Sequence, residues 1–447
     1  LPRFAGPAGA GRRGIGMLER YFGLSAAGTS VRTELLAGVT TFLTMAYITF
    51  VNPLILSEAG IDFGAAFVAT CLAAAFGSAV MGLLANYPVA LAPGMGLNAY
   101  FTYGVVQGMG YSWQVGLGAV FLSGILFLIL SILPVREWLV NSIPRGLKLS
   151  ISAGIGFFLA IIALRNAGIV VDHPATLLAL GTITAPEPAL AAAGFFLIVA
   201  LDHRRVPGAI IIGILLVTVA AILLGVSPFK GIASAPPSLA PTLLQLDLAG
   251  ALEIGLLTVV FAFLFVDLFD TAGTLVGIAY RAGLLLPDGR LPRLGRALLA
   301  DSTATIVGAT LGTSTTTSYI ESAAGIKVGG RTGLTAVVVA ALFLATLFFA
   351  PLAQTVPGFA TAPALMFVAC LMARGLVEID WEDGTEVAPA IVTALGMPLT
   401  FSIANGIALG FITYAGVKLL TGRSRETGPA VLLLAALFLV KFLYLEG

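Results

Sequence analysis

The chain has 447 residues, of which 58% are hydrophobic and only 10% are charged, and its formal net charge is +1. A soluble domain carries roughly 25% charged residues, so this composition excludes an ordinary soluble protein and indicates a multi-pass protein in contact with membrane lipid. The small net charge argues against a nucleic-acid partner, which would need a concentrated basic patch. No cleavable signal is expected, because the N-terminal 1–30 segment contains no long apolar run.

Apolar runs of spanning length recur along the chain and are predicted to form transmembrane helices. Three other stretches are short or interrupted: 89–108 by proline and glycines, 313–328 by threonines and serines, and 385–399 by two prolines. Broken segments at membrane depth are tolerated only where protein or a cavity satisfies the freed backbone groups. The continuous runs lie at about 33–56, 64–85, 112–133, 148–168, 189–202, 206–225, 251–276, 297–311, 333–350, 361–377, 401–420 and 429–445.

Lysine and arginine favour cytoplasmic loops, and they set the predicted orientation of this chain. The arginines from Arg3 to Arg20 place the N-terminus in the cytoplasm. If 89–108 and 313–328 each cross the membrane once, the later basic clusters also fall on the cytoplasmic side. With 385–399 counted as a short span, the chain has fourteen predicted crossings before its last apolar run.

Fourteen crossings divide into two sets of seven, at about 31–225 and 250–421. An odd number of spans gives the two sets opposite topology, which predicts an all-α polytopic fold of two inverted repeats, as in many secondary transporters. The broken segments are third in each repeat, and paired broken segments are the best sequence pointer to a binding site. Three further segments lie outside the repeats. Residues 1–30 form a cytoplasmic N-terminal segment, 226–249 form the loop that connects the repeats, and 422–447 form a C-terminal apolar helix.

Two carboxylates stand in a run, Phe265 to Thr274, that otherwise indicates a membrane-buried helix. Asp267 and Asp270 are three residues apart and therefore share one side of that helix. A carboxylate at bilayer depth costs at least about 2.5 kcal/mol, so the pair is predicted to form a functional site; the alternative is that they hold a helix terminus or a neighbouring hydroxyl. Asp301, inside another span, is predicted either to complete a polar network or to relay a proton.

The broken segments supply further polar side chains. Asn98 follows a proline and two glycines, and its amide can both donate and accept hydrogen bonds. In the second segment Glu321 follows three hydroxyls that either reach a ligand or act as helix–helix contacts: Thr316, Thr317 and Ser318. Glu34 and Glu253 begin spans, where the helix dipole favours an acid, so a structural role is predicted for both.

The acids at membrane depth lack an obvious cationic partner. Between Val206 and Tyr280 the sequence contains one such side chain, Lys230, in a Pro-rich loop. An acid without a counter-charge in a desolvated site can take up and release a proton. A protonated carboxylic acid both donates and accepts hydrogen bonds, which suits a flat heterocycle with alternating N–H groups and lone pairs, whereas an anion would be repelled.

Four ordered motifs closely resemble the AzgA-like purine permeases of the nucleobase:cation symporter superfamily, and the resemblance covers essentially the whole chain beyond residue 17. It implies import of adenine, guanine or hypoxanthine across the cell membrane by proton symport. It also implies short strands in spans three and ten, a homodimer, and an elevator-like movement of a core domain (31–133 and 250–350) against a gate domain (134–225 and 357–421). The motifs are Gly38–Pro53, Ala92–Phe101, Phe265–Gly277 and Gly312–Gly333.

Carried over by motif, Asn98, Asp267 and Glu321 match the purine-contacting positions of these permeases, and Asp270 matches a second acid that influences binding. The resulting hypothesis is that Asp267 and Glu321 hold the N–H edge of the purine and Asn98 orients it, while Asp270, with Asp301, serves proton coupling. No catalytic residue, metal or cofactor is expected. The alternatives are a same-fold transporter of uracil, xanthine or an anion, and a membrane transferase that uses Asp267 and Asp270 to hold Mg²⁺.

Overall fold

The structure, a computed structural model, describes residues 10–133, 143–282 and 292–444. Several side chains between residues 254 and 282, including that of Asp270, are outside this description. The predicted boundary between core and gate at residue 134 also lies outside the described residues.

The described chain is built almost wholly of helices. In chain order they are α1 Ala10–Phe22, α2 Val31–Met45, α3 Ile48–Glu58, α4 Phe63–Val80, α5 Met95–Ala99, α6 Trp113–Ile132, α7 Arg145–Asn166, α8 Pro186–His203, α9 Ala209–Leu223, α10 Leu248–Ala251, α11 Ile254–Ala282, α12 Leu294–Leu311, α13 Ser322–Val328, α14 Gly333–Thr346, α15 Ala350–Thr355, α16 Gly358–Ala373, α17 Gly384–Thr400, α18 Ile403–Leu420 and α19 Pro429–Tyr444. The strands are β1 Leu91–Pro93, β2 Val170–His173, β3 Leu177–Leu180 and β4 Thr316–Ser318. π-helical turns extend α4 and α5 over Met81–Ala85 and Tyr100–Gly108, and 3-10 turns lie at Leu347–Phe349, Arg374–Glu378 and Ser424–Glu426.

Within the described residues, seven helical segments are long and apolar enough to cross a membrane unaided, and three shorter apolar helices accompany them. The polytopic helical fold predicted from the sequence is confirmed. The stretch 385–399, counted as a short span, forms α17, which runs without a break through Pro389 and Pro398. This helix packs between α7 and α18, and Thr393 Oγ1 donates to the carbonyl of Pro389 at 2.7 Å. Neighbouring helices and hydroxyls of this kind compensate for prolines inside membrane helices.

The two broken segments meet each other. β1 and β4 pair antiparallel, with Leu91 opposite Ser318 and Ala92 opposite Thr317. Each strand is followed by a helix, α5 or α13, so each segment enters as extended chain and continues as helix. The short strands predicted for spans three and ten are confirmed. They form because Pro93 prevents helix at one end and the β-branched threonines of β4 favour extended backbone at the other.

The inverted repeat is visible in the way each strand is anchored. Ser78 Oγ, on α4 in the second span, donates to the carbonyl of Leu91 at 3.0 Å and accepts from its N–H at 2.9 Å. Thr305 Oγ1, on α12 in the ninth span, donates to the carbonyl of Thr316 at 2.9 Å and accepts from its N–H at 3.3 Å. Equivalent helices of the two repeats thus use one hydroxyl to satisfy both backbone groups of a strand residue.

The helices pack in two groups. α2, α4 and α6 of the first repeat pack on α12, α13 and α14 of the second, around the β1–β4 pair. α7, α8 and α9 pack on α16, α17 and α18 in the other group, and α19 lies against α18. The fold is therefore an inverted repeat with a core and a gate, and the C-terminal apolar helix packs on α18.

Glu34 has a second structural role besides its predicted place at the start of a helix. It is fully buried, with 0% of its surface exposed, and its carboxylate accepts from the N–H groups of Arg331 at 2.8 Å and Thr335 at 3.1 Å. The hydroxyl of Thr335 also donates to it, at 2.6 Å. Glu34 therefore caps the N-terminus of α14, in the other repeat, besides lying in the first turn of its own helix.

A buried lysine holds the end of α18. Lys418, 1% exposed, donates to Glu386 Oε1 and Glu426 Oε2, each at 2.7 Å. Next to it, hydrogen bonds from Thr385 together with Arg423 lower the pKa of Asp383 to about 2. That carboxylate therefore stabilises the fold above its ordinary pKa and loses this contribution as the pH falls towards 2.

Candidate functional site

The predicted site residues gather around β4. Asp301, buried on α12, accepts from Thr271 Oγ1 at 2.9 Å and from Ser318 Oγ at 3.1 Å. Thr271 Oγ1 lies 2.8 Å from Thr317 Oγ1. A hydroxyl has one proton to donate, and that of Thr271 goes to the carboxylate, so Thr317 donates to Thr271. Asp301 is thus bound to β4 directly through one hydroxyl and indirectly through two.

Asp267 reaches the same strand from α11. Its side chain is 1% exposed, and Oδ2 accepts from Thr305 Oγ1 at 3.1 Å. Because Thr305 also donates to the carbonyl of Thr316, its one proton is shared between the carboxylate and the strand. A change of charge on Asp267 therefore acts directly on the hydrogen bonding of β4.

Asn98 approaches β4 from the first repeat. It is buried on α5, and Ser314 Oγ donates to its Oδ1. Its Nδ2 has no hydrogen-bond partner among the described residues, and the same holds for Oγ1 of Thr315 and of Thr316. Buried polar atoms are nearly always paired in native proteins, so a cluster without partners requires an explanation.

Glu321 lies just beyond β4, at the N-cap position of α13. It is half-buried, and the neighbouring Ile320 is 49% exposed. The hydroxyl of Tyr47 donates to Glu321 Oε1 at 2.7 Å. This acid therefore lies at the accessible edge of the site, while Asp267 and Asp301 lie in its interior.

The structure thus brings most of the predicted residues together around the paired strands β1 and β4. Glu321 lies just past the end of β4. Asp270 lies on the same helix as Asp267, with its side chain outside the described part of the chain. The three hydroxyls differ in surroundings: those of Thr317 and Ser318 belong to the Asp301 network, and that of Thr316 has no partner in the described chain.

Sequence reasoning missed four side chains of the site. Two had a usable signal: Thr271 is four residues after Asp267 and Thr305 is four after Asp301, which places each pair on one helix face. The other two, Tyr47 and Ser314, contact residues far along the chain. Among the residues described, no three His, Cys, Asp or Glu side chains come together as a set that could hold a metal.

Comparison with known proteins places the chain in a family. The Permease family matches residues 32–440. The chain belongs to this family. A Methanocaldococcus jannaschii relative is 56% identical, with 96% of this chain and 99% of the relative covered. The adenine permease AdeP of Escherichia coli is 50% identical (97% and 98% covered), and the guanine/hypoxanthine permease PbuG of Bacillus subtilis is 45% identical (96% and 100% covered).

These relatives confirm the resemblance to AzgA-like purine permeases that the four motifs indicate. Because the relatives with a printed activity are permeases, the chain is a multi-pass transport protein, and the membrane-transferase alternative is rejected.

Two solved structures share the fold at low sequence identity. The transmembrane domain of the cyanobacterial bicarbonate transporter BicA has a TM-score of 0.64 and 17% identity, with 84% of this chain and 97% of that chain covered. Murine Slc26a9, an anion transporter in the inward-facing state, has a TM-score of 0.64 and 10% identity, with 94% and 73% covered. At these identities the likeness concerns the fold alone, so the transported substrate has to be argued from the site.

Proposed function

We propose that the chain imports purine nucleobases by proton symport. Relatives over nearly its full length include permeases for adenine and for guanine and hypoxanthine. The site chemistry fits this class, because a purine presents ring N–H groups and ring-nitrogen lone pairs along the edge of a flat molecule. Such an edge needs carboxylates that accept hydrogen bonds from its N–H groups and an amide that donates to its lone pairs. Both kinds of group lie next to the paired strands β1 and β4.

The observation that carries the proposal is the buried amide of Asn98. Its oxygen is used by Ser314, and its Nδ2 is left without a partner in the described chain. A buried donor of this kind is costly unless a ligand accepts from it. A ring nitrogen of a purine supplies that acceptor, and the orphan hydroxyls of Thr315 and Thr316 can donate to further ring atoms or accept from an exocyclic amine.

In this proposal Asp267 and Glu321 accept from N–H groups of the purine, and Asn98 orients the ring from the other repeat. Asp270 and Asp301 serve proton coupling or support. The Asp301 network runs through Thr271 to Thr317 and directly to Ser318, so a change of charge there is transmitted to the strand that lines the ligand.

We further propose the transport cycle that the fold allows. The core, 31–133 and 250–350, carries the ligand and moves against the gate, 134–225 and 357–421, in an elevator-like step. The protein works as a homodimer in the cell membrane with a cytoplasmic N-terminus. The grouping of helices in the structure supports a division of this kind, because the helices of each group pack mainly on one another.

An anion transporter is the second candidate, since BicA and Slc26a9 share the fold. Two buried aspartates next to β4 and Glu321 at its edge favour the nucleobase over an anion, because a desolvated carboxylate repels negative charge. A same-fold carrier of uracil or xanthine is the nearer alternative and is separated from a carrier of adenine, guanine or hypoxanthine by competition.

Uptake of labelled adenine, guanine and hypoxanthine into proteoliposomes tests this proposal, with and without an inward proton gradient. We expect saturable uptake of adenine, guanine or hypoxanthine, accelerated by the gradient and competed by the unlabelled forms of these three purines but not by xanthine, uracil or bicarbonate. Uptake that does not respond to the gradient would refute proton symport, and competition by uracil or bicarbonate alone would refute the substrate class. Liposomes without protein are the control.

A further inference from the structure

Tyr47 is a fully buried tyrosine at the join between α2 and α3. Its hydroxyl donates to Oε1 of Glu321 at 2.7 Å, although the two residues are 274 positions apart. A phenol has one proton to give, so this bond commits the donor of Tyr47 to one of the two carboxylate oxygens. In the described part of the chain, Tyr47 is the side chain shown to donate to that carboxylate.

The backbone of Glu321 is held against the same pair of helices. Glu321 precedes α13, which packs directly on α2. A Cβ at Gly325 would lie only 2.2 Å from Thr41 Oγ1, so glycine is required for this approach. The hydroxyl of Thr44 also lies 3.4 Å from the carbonyl oxygen of Glu321. The close packing of α13 on α2 therefore keeps Glu321 next to Tyr47.

Tyr47 engages one of the two carboxylate oxygens of Glu321. Oε1 accepts from the buried hydroxyl of Tyr47, while the residue as a whole is half-buried and the neighbouring Ile320 is 49% exposed. A carboxylate oxygen anchored by a charge-assisted hydrogen bond loses rotational freedom before a ligand arrives. Prior ordering of this kind lowers the entropic cost of binding.

We propose that Tyr47 is a positioning residue for Glu321, which holds Oε1 so that Oε2 is presented to an N–H group of the purine. The inference rests on the proposed function, because it takes Glu321 to be an acid that contacts the ligand. Tyr47 acts through Glu321 and does not itself contact the purine. It also ties the helix join of the first repeat to the broken segment of the second.

The variant Tyr47→Phe removes the hydroxyl and keeps the ring that fills the core. We expect the dissociation constant of adenine, guanine or hypoxanthine, whichever the unmodified protein binds, to rise roughly 10- to 100-fold, because one hydrogen bond to a charged group is lost. The maximal rate of uptake at saturating purine should stay within about twofold. Tyr87→Phe is the matched control, since Tyr87 is also buried and donates to a backbone carbonyl, that of Pro292. It should leave both quantities unchanged.

An unchanged dissociation constant in Tyr47→Phe would overturn the proposal, and so would a lower maximal rate with unchanged affinity, which would assign Tyr47 to the movement of the core. The thermal unfolding of each variant is also measured without ligand, and a cooperative transition shows that the variant is folded. If the unmodified protein binds none of the three purines, it is the proposed function that fails, and the two failures are thereby distinguished.

Discussion

Asp267→Asn is expected to abolish purine binding while leaving the protein folded. The side chain is buried, and its Oδ2 is bound to the hydroxyl of Thr305. Asparagine keeps the shape but removes the negative charge and replaces one acceptor oxygen by a donor. Losing one charged partner of a buried hydrogen bond typically costs about 2–5 kcal/mol, so the dissociation constant should rise by about 30-fold to several-thousand-fold. Isothermal titration of the purified protein in detergent measures it.

The control for Asp267 is Asp172→Asn, which makes the same change of charge on an exposed strand of the β2–β3 hairpin. It should bind purine as the unmodified protein does. Unchanged affinity in Asp267→Asn would remove Asp267 from the ligand site and leave it a structural acid that anchors Thr305.

Glu34→Ala is expected to cause the largest loss of stability of any single change considered. The carboxylate accepts from backbone N–H groups of Arg331 and Thr335 and from the Thr335 hydroxyl, all at the buried start of α14. Each buried donor left without a partner costs about 1–3 kcal/mol, so the total is on the order of 3–5 kcal/mol. The apparent Tm should fall by roughly 5–10 °C, as intrinsic fluorescence during heating in detergent would show.

Glu253→Ala is the matched control, because Glu253 also stands at the start of a predicted span but is exposed. Its loss should change the Tm by no more than about 1–2 °C. If Glu34→Ala melted with the unmodified protein, the carboxylate would contribute nothing to the junction between α2 and α14.

Features that depend on residues close together in the sequence could be predicted. Asp267 and Asp301 were recognisable because a carboxylate in an apolar run is costly, and the broken segments were recognisable from Pro93 and the threonine run. The resemblance to the purine permeases implied short strands in these segments, and the pairing of β1 with β4 confirms them. These features depend on local backbone preference, which a few neighbouring residues determine, and on the number of spans, which can be counted from the apolar runs.

Contacts between residues far apart in the chain could not be predicted, because they depend on which helix faces pack against each other. Glu34 and Thr335 are 301 residues apart, and no local pattern pairs them. The rule that an acid favours the start of its own helix gave Glu34 and Glu253 the same role, although one is buried and the other exposed. The hairpin of β2 and β3, and α1, were likewise not anticipated, since neither has a long apolar period.

Binding of purines by the unmodified protein is the decisive test of whether this chain is a purine transporter. Thermal unfolding in detergent should be followed with adenine, guanine, hypoxanthine, uracil and bicarbonate, because a ligand that binds only the folded state raises the apparent Tm, and the rise grows with the ratio of its concentration to its dissociation constant. We expect a concentration-dependent rise with at least one of adenine, guanine and hypoxanthine, no rise with uracil or bicarbonate, and loss of the purine effect in Asp267→Asn. A rise with bicarbonate and none with any purine would contradict it.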